Sequence, residues 1–172
     1  MDAIVAVCSD WAIGKDGGLL VRNKEDMHRF VQLTRGCTVV MGRKTYESFP
    51  GGPLKGRRNV IVTHDASYVP PKAQNLAEGT SVVVVTSPEA ALAAAQGDAQ
   101  AWLIGGESLY RALLPQCACC FVTLNKTQVD GADAFFPNLD EDPRWTLASR
   151  DGEGVTAEGV PFEFVTYQRT AR

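Results

Sequence analysis

Short, largely apolar runs recur along the chain at residues 3–8, 38–41, 59–62, 81–85, 101–104 and 121–124. Runs of this length without alternation fit strands buried on both faces, as in a parallel sheet. Several of the intervening segments keep a helical spacing. Met27, Phe30, Val31 and Thr34 share one helical face. Asn23 stands where an N-cap belongs, with Glu25 and Asp26 in the first turn, where the helix dipole favours negative charge. Residues 43–49 read as a short helix after Gly42, and residues 50–53 must turn. Pro88 opens a helix over 89–95, and Gly105-Gly106 leads into a helix that runs through Leu113 to a stop at Pro115. Residues 162–167 alternate in part and predict an antiparallel strand. Residues 9–24 carry Gly14, Gly17 and Gly18 without a steady period. They predict a loop longer than most connections, which hints at function. The sum is an α/β fold with a mostly parallel core, an antiparallel C-terminal edge and about four flanking helices. Residues 63–79 and 150–160 show no period that assigns an element.

Composition narrows this picture. At 172 residues the chain suits a single domain over 1–172, able to bury roughly 70% of its unfolded surface. No run nears the roughly 20 apolar residues of a membrane span, so no membrane partner is expected. Met1-Asp2-Ala3-Ile4 lacks the basic region of a secretory signal, so a cytoplasmic location is expected. Of five cysteines, Cys117, Cys119 and Cys120 crowd one apolar segment. A zinc site there would need a second ligand pair at zinc spacing, so reduced thiols and no metal are the expectation. The net charge of -3 does not suggest nucleic acid as a partner. Yet residues 43–58 hold five basic side chains and one acid, while residues 130–163 hold nine acids and two arginines. A basic stretch on an acidic protein fits either a local anionic ligand or a solvated surface.

Two junctions carry the strongest chemical signal. Thr38-Val39-Val40-Met41 runs into Gly42-Arg43-Lys44-Thr45, and Trp102-Leu103-Ile104 runs into Gly105-Gly106-Glu107-Ser108. Each ends an apolar strand on glycine and then begins a helix. Glycine lets a ligand approach the backbone, and a helix N-terminus attracts phosphate. Both junctions should lie beyond the carboxyl ends of the strands, where open α/β sheets bind ligands. Neither the GxGxxG nor the GxxxxGK[ST] pattern occurs, which argues against an ordinary Rossmann domain or nucleotide hydrolase.

These segments resemble the dihydrofolate reductase family. Ile4-Val5-Ala6-Val7, Trp11-Ala12-Ile13-Gly14 and Asp26-Met27-His28-Arg29-Phe30 are similar to its opening. Residues 40–48 resemble its MGRxTxES segment, 53–59 its PLxGRxN segment and 104–110 its IGGxxxY segment, while Thr123 and 133–137 match later positions. The motifs occur in family order and cover nearly the whole chain. The resemblance implies an eight-stranded mixed sheet in which NADPH meets dihydrofolate in a central cleft, with hydride delivered to C6 and a proton to N5.

It also implies roles for named residues. Asp26, supported by Thr123, would bind and polarise the pteridine. Ile4, Val5, Met27, Phe30, Phe49, Ile104 and Tyr110 would surround the substrate, and Arg57 would meet the α-carboxylate of its glutamate. Ala6, Ile13, Gly14 and Leu19 would face the nicotinamide beneath the mobile loop 9–24. Gly42, Arg43, Lys44 and Thr45, together with Ile104, Gly105, Gly106, Glu107, Ser108, Leu109 and Tyr110, would hold the rest of the cofactor. Thr63 and His64 would join Arg43 near the adenosine 2′-phosphate. Diaminopyrimidine antifolates should pair with Asp26, and a monomer is expected. From local sequence alone, Asp26 reads first as a helix-dipole acid, and Arg57 can also be read as a surface arginine; the family register turns Asp26 toward the substrate role. Two departures stand out: Leu20-Val21 replaces a Pro-Trp pair that helps hold a water near the substrate in many relatives, and an extra residue falls around 50–52. A riboflavin-pathway reductase or a binding protein without turnover would have no use for Asp26, Thr123 and Arg57 together.

Overall fold

The computed structural model describes residues 1–170. In chain order its elements are β1 (Asp2–Cys8), β2 (Ala12–Gly14), α1 (Lys24–Thr34), β3 (Thr38–Gly42), α2 (Arg43–Glu47), β4 (Arg58–Val62) and β5 (Ser81–Val85). There follow α3 (Pro88–Ala95), β6 (Ala101–Gly105), α4 (Glu107–Leu113), β7 (Cys119–Asn125), β8 (Ala134–Phe135), β9 (Trp145–Val155) and β10 (Pro161–Arg169). The main sheet has eight strands in the order β5-β4-β3-β6-β1-β7-β10-β9, and β2 pairs with β8 separately. Every pair from β5 to β7 is parallel, while β10 runs antiparallel to both β7 and β9. The expected single-domain α/β architecture with its antiparallel C-terminal edge is therefore the one observed.

Local chemistry explains the helix starts. The Asn23 side chain accepts from the Asp26 N–H at 3.1 Å, and Ser87 caps α3 ahead of Pro88. Beyond α4 the chain does not stop at Pro115 but continues in one 3₁₀ turn over Leu114–Gln116. All five cysteines are free thiols.

The sheet separates two cores. On one face Val5, Val7, Leu103 and Val122 pack with Leu109, Tyr110 and Leu113 of α4 and Ala91 of α3. On the other Ile4, Met41, Ile61 and Trp102 pack with Tyr46 of α2, against Phe30 and Leu33 of α1. Met27 departs from the inward position expected of it. It is 48% exposed, because the face of α1 that meets the sheet runs through Asp26 and Phe30 and leaves Met27 on the flank.

One irregularity positions the site. β1 and β6 register through only Asp2↔Trp102 and Ala3↔Leu103. Beyond those pairs the two strands part. β6 also carries a register shift against β3 after Leu103, which leaves Ile104 as the extra residue. Such a bulge bends a strand and re-aims a side chain. The parting frees the Ile4 carbonyl from the ladder, and the buried Tyr110 hydroxyl donates to it at 2.7 Å. The sheet is thus split at its centre, with its open end toward the carboxyl ends of β1 and β6.

Candidate active site

Asp26 enters the split from the first turn of α1. Its Oδ1 accepts from the Thr123 hydroxyl of β7 at 2.6 Å. Burial pushes the Asp26 carboxyl above its ordinary value, while the Thr123 bond and the nearby Arg29 charge pull the other way. An acid in a desolvated site resists ionisation. Thr123 thus stands in hydrogen-bond contact with the carboxylate.

The apolar slot also forms. Ile4, Phe30, Phe49 and Ile104 gather in one cluster with Leu33, Leu54 and Phe121. Val5 does not join them, because strand alternation turns its side chain into the opposite core with Val7. Tyr110 likewise lies in that opposite core, so it reaches the split only through its hydroxyl. Phe121 was missed by the sequence reading, although its spacing two residues before Thr123 places it on the same strand face.

Arg57 is the second anomaly. It is 7% exposed, yet it forms no ion pair among the described residues. Nε and one terminal nitrogen each donate to Thr34 Oγ1 at 3.2 Å, and the other terminal nitrogen donates to the Lys55 carbonyl at 2.8 Å. Burial, then the charge of Arg35, holds its pKa below the usual guanidinium value. Arg58 next to it is spent structurally, on Asp98 at 2.8 Å.

The two glycine junctions become neighbours because β3 and β6 are adjacent. A methyl group built on Gly105 or Gly106 would come within 3.3 Å of Thr45 Oγ1. One built on Gly42 would lie 3.8 Å from the Gly106 nitrogen. Gly105 also has φ +134, a conformation side chains rarely adopt. Neither helix cap carries a side-chain bond to the first turn, so the backbone at both starts stays approachable. A side chain would close this cradle, which is why glycine stands there. Leu109 is buried in the core and can contribute only backbone, whereas Ser108 is exposed and Glu107 pairs with Arg111 at 3.2 Å.

Arg43, expected near the 2′-phosphate, already has partners. It pairs with Glu47 at 3.0 Å and lies 4.4 Å over the Tyr68 ring, whose hydroxyl also donates to Glu47 at 2.9 Å. Lys44 and His64 are exposed, and Thr63 is buried beside them at the end of β4.

Residues 9–23 cross the mouth of the split. Asp133 binds this loop twice, its N–H donating to the Gly14 carbonyl at 3.0 Å and its carboxylate accepting from the Asp16 N–H at 2.9 Å. Ala12, Ile13, Leu19, Leu20 and Val21 from the loop line a small cavity with Ala6, Asp26 and Asn125. Leu19 is 74% exposed at the tip. Asp133→Ala is expected to speed proteolytic cleavage within the loop severalfold. An unchanged cleavage rate would assign the loop's order to the β2–β8 pairing alone.

Fold and site define a small α/β enzyme that brings a phosphate-bearing ligand and a flat, carboxylate-tailed ligand together across a split sheet. The dihydrofolate reductase family model matches residues 1–169, and the chain belongs to the dihydrofolate reductase family. It is 35% identical over 165 residues to the dihydrofolate reductase of Neisseria gonorrhoeae, covering 95% of each chain. It is 36% identical over 163 residues to that of Mycobacterium leprae (strain TN), covering 92% of this chain and 91% of that one. Among solved structures it is similar to dihydrofolate reductase from Enterococcus faecalis complexed with NADP(H) and RAB-propyl. That match has a TM-score of 0.81 and 29% identity, covering 99% of this chain and 96% of the other.

Proposed function

We propose that this chain reduces 7,8-dihydrofolate to 5,6,7,8-tetrahydrofolate with NADPH, supplying one-carbon metabolism. The observation that carries the reading is the half-buried Asp26, held by Thr123 beside an apolar slot, together with the buried Arg57 guanidinium, which has no counterion among the described residues. A bicyclic heterocycle with adjacent N–H and amino donors draws such an acid into its ionised form, which accepts from both, and a carboxylate tail satisfies Arg57. Gly42, Gly105 and Gly106 with Thr45 fit the cofactor's phosphates, because bare backbone there leaves amide groups approachable where a side chain at Gly105 or Gly106 would crowd Thr45. NADPH supplies the hydride for C6.

The residues have distinct tasks. Asp26 binds and polarises the ring, and Thr123 fixes the carboxylate's orientation. Ile4, Phe30, Phe49 and Ile104 exclude water from its faces, with Met27 at the rim. Arg57 fixes the tail. Ala6, Ile13, Gly14 and Leu19 flank the nicotinamide, and the residues of the two junctions hold the rest of the cofactor. Arg43, with Thr63 and His64, meets the 2′-phosphate, for which its pairing with Glu47 must yield or be shared. Diaminopyrimidine antifolates bind the same acid through a protonated ring.

No helix among the described residues is long and apolar enough to cross a membrane. We take the enzyme to act as a cytoplasmic monomer, which sedimentation and fractionation would check. The direct test of function is the loss of NADPH absorbance when dihydrofolate is added. Oxidation with NADPH faster than with NADH is expected. NADPH binding without dihydrofolate-dependent oxidation would overturn the reading.

A further inference from the structure

Three side chains of β7 face α1 in step with it. The Phe121 ring lies 5.8 Å from the Arg29 guanidinium, Thr123 donates to Asp26, and Asn125 meets Asn23. The last contact has an orientation fixed by its neighbours. The Asp26 N–H can only donate, so it meets Asn23 through Oδ1. Asn23 Nδ2 is then the donor in the 3.1 Å bond to Asn125, which must accept through its own Oδ1. Asn125 is left with an NH₂ group that makes no hydrogen bond to the described residues. The residue is 3% exposed and lies on the wall of the cavity that also holds Asp26.

The other side chains on that wall are apolar or only weakly polar. Ala6, Ile13, Leu20 and Val21 contribute no polar side-chain atom, and the Cys8 thiol is only a weak hydrogen-bonding group. A buried water needs two to four polar partners. Asp26 offers an acceptor and Asn125 offers two donors. An amide donor engages the oxygen of a water and leaves both its O–H groups free, one for Asp26 and one for a substrate nitrogen. An acceptor at the same place would consume one of them.

We propose that Asn125 is a positioning residue for the reaction, whose free amide donates to a water held between it and Asp26 and turned toward N5 of the substrate. The inference rests on the reductase reading above. The water passes one proton to N5 and regains one from bulk solvent, so the site returns to its starting state. The other titratable groups around Asp26 are Arg29 on α1, Tyr110 on α4 and Cys8 at the end of β1.

Two variants test this. Asn125→Asp keeps an acceptor for Asn23 but turns an acceptor toward the cleft, while Asn125→Leu removes both. The measurements are the single-turnover rate of NADPH oxidation with dihydrofolate from acidic to alkaline pH, NADPH affinity and melting temperature. Asn125→Leu should slow the single turnover about tenfold, equivalent to ~1.4 kcal/mol of barrier, and move its inflection to lower pH, with NADPH affinity kept. Asn125→Asp should be slow at neutral and alkaline pH and recover at acidic pH, where the new carboxyl regains an O–H donor. Wild-type rates and pH profiles in both variants, with only a lower melting temperature in Asn125→Leu, would make Asn125 a clip between β7 and α1 and overturn the proposal. Failure of the reductase reading would show separately, as wild-type protein inactive toward dihydrofolate.

Discussion

Asp26→Asn is expected to lose roughly two to three orders of magnitude in turnover at neutral pH while melting at the same temperature as the wild type or higher. The two effects share a cause. Burial raises the carboxyl's pKa in the folded protein by more than Thr123 and Arg29 lower it. In the unfolded chain the group ionises at its ordinary value. Its contribution to stability is therefore fully present below that ordinary value, and it is lost as pH rises through the raised folded value. At neutral pH the wild type holds an acid in a place that disfavours its charge. Asparagine removes that cost and still offers an oxygen to the Thr123 hydroxyl. Any stability advantage of the variant should be largest at neutral pH and shrink in acid. Turnover assays and thermal melts at two pH values check both halves. Full turnover would move the acid's role to another residue, and a lower melting temperature at neutral pH would show that the fold prefers the ionised form.

Much of this architecture was legible in the chain because burial on both faces leaves a plain mark. β1, β3, β4 and β6 are apolar runs for that reason. The start of α1 was legible because Asn23 and the two acids after it obey capping rules. β9 left no such mark. Nearly every residue along it is exposed, so only its backbone pairing with β10 defines it, and backbone pairing has no side-chain signature. Gly154 in that strand is set by contact across the pair, since a methyl group there would strike the Phe162 ring at 2.6 Å.

The site was legible by role but not always by direction. The motif register placed Asp26, Thr123 and Arg57 in one site; Thr123 does meet Asp26, while Arg57 is bonded to Thr34 at the far end of α1. It could not say that Val5 faces the far core, that Met27 sits on the rim, or that Arg43 is paired with Glu47. Those facts depend on strand parity, on helix rotation and on a partner 21 residues away in sequence, Tyr68, holding Glu47. Asn125 was invisible for a related reason. Its amide has meaning only beside Asn23, 102 residues earlier. Where the chain breaks local rules, with a half-buried acid against an apolar slot and a buried guanidinium, function is the expected compensation.

Arg57→Leu is expected to weaken dihydrofolate binding about a hundredfold, within the ~2–5 kcal/mol that losing one partner of a buried ion pair costs. NADPH affinity should be unchanged. The contrast follows from where the group sits. Arg57 precedes β4 at the amino end of its strand, bonded to Thr34 at the end of α1. Gly42 and Gly105 close β3 and β6 at their carboxyl ends. A buried cation with no counterion among the described residues is a cost to the free protein, and burial already pulls the Arg57 pKa down. Leucine removes that cost, so the free variant should melt no lower than the wild type, yet gain far less melting temperature when dihydrofolate is added. Arg57→Lys should fall between the two, because an ammonium keeps the charge but cannot present the planar fork that meets a carboxylate with two parallel bonds. Calorimetric titration of each ligand separates the outcomes. Equal losses for both ligands would point to a general loosening of the fold. Unchanged dihydrofolate affinity would reduce Arg57 to a brace between α1 and the residue-55 turn, and the guanidinium's lack of a counterion would then need another ligand to explain it.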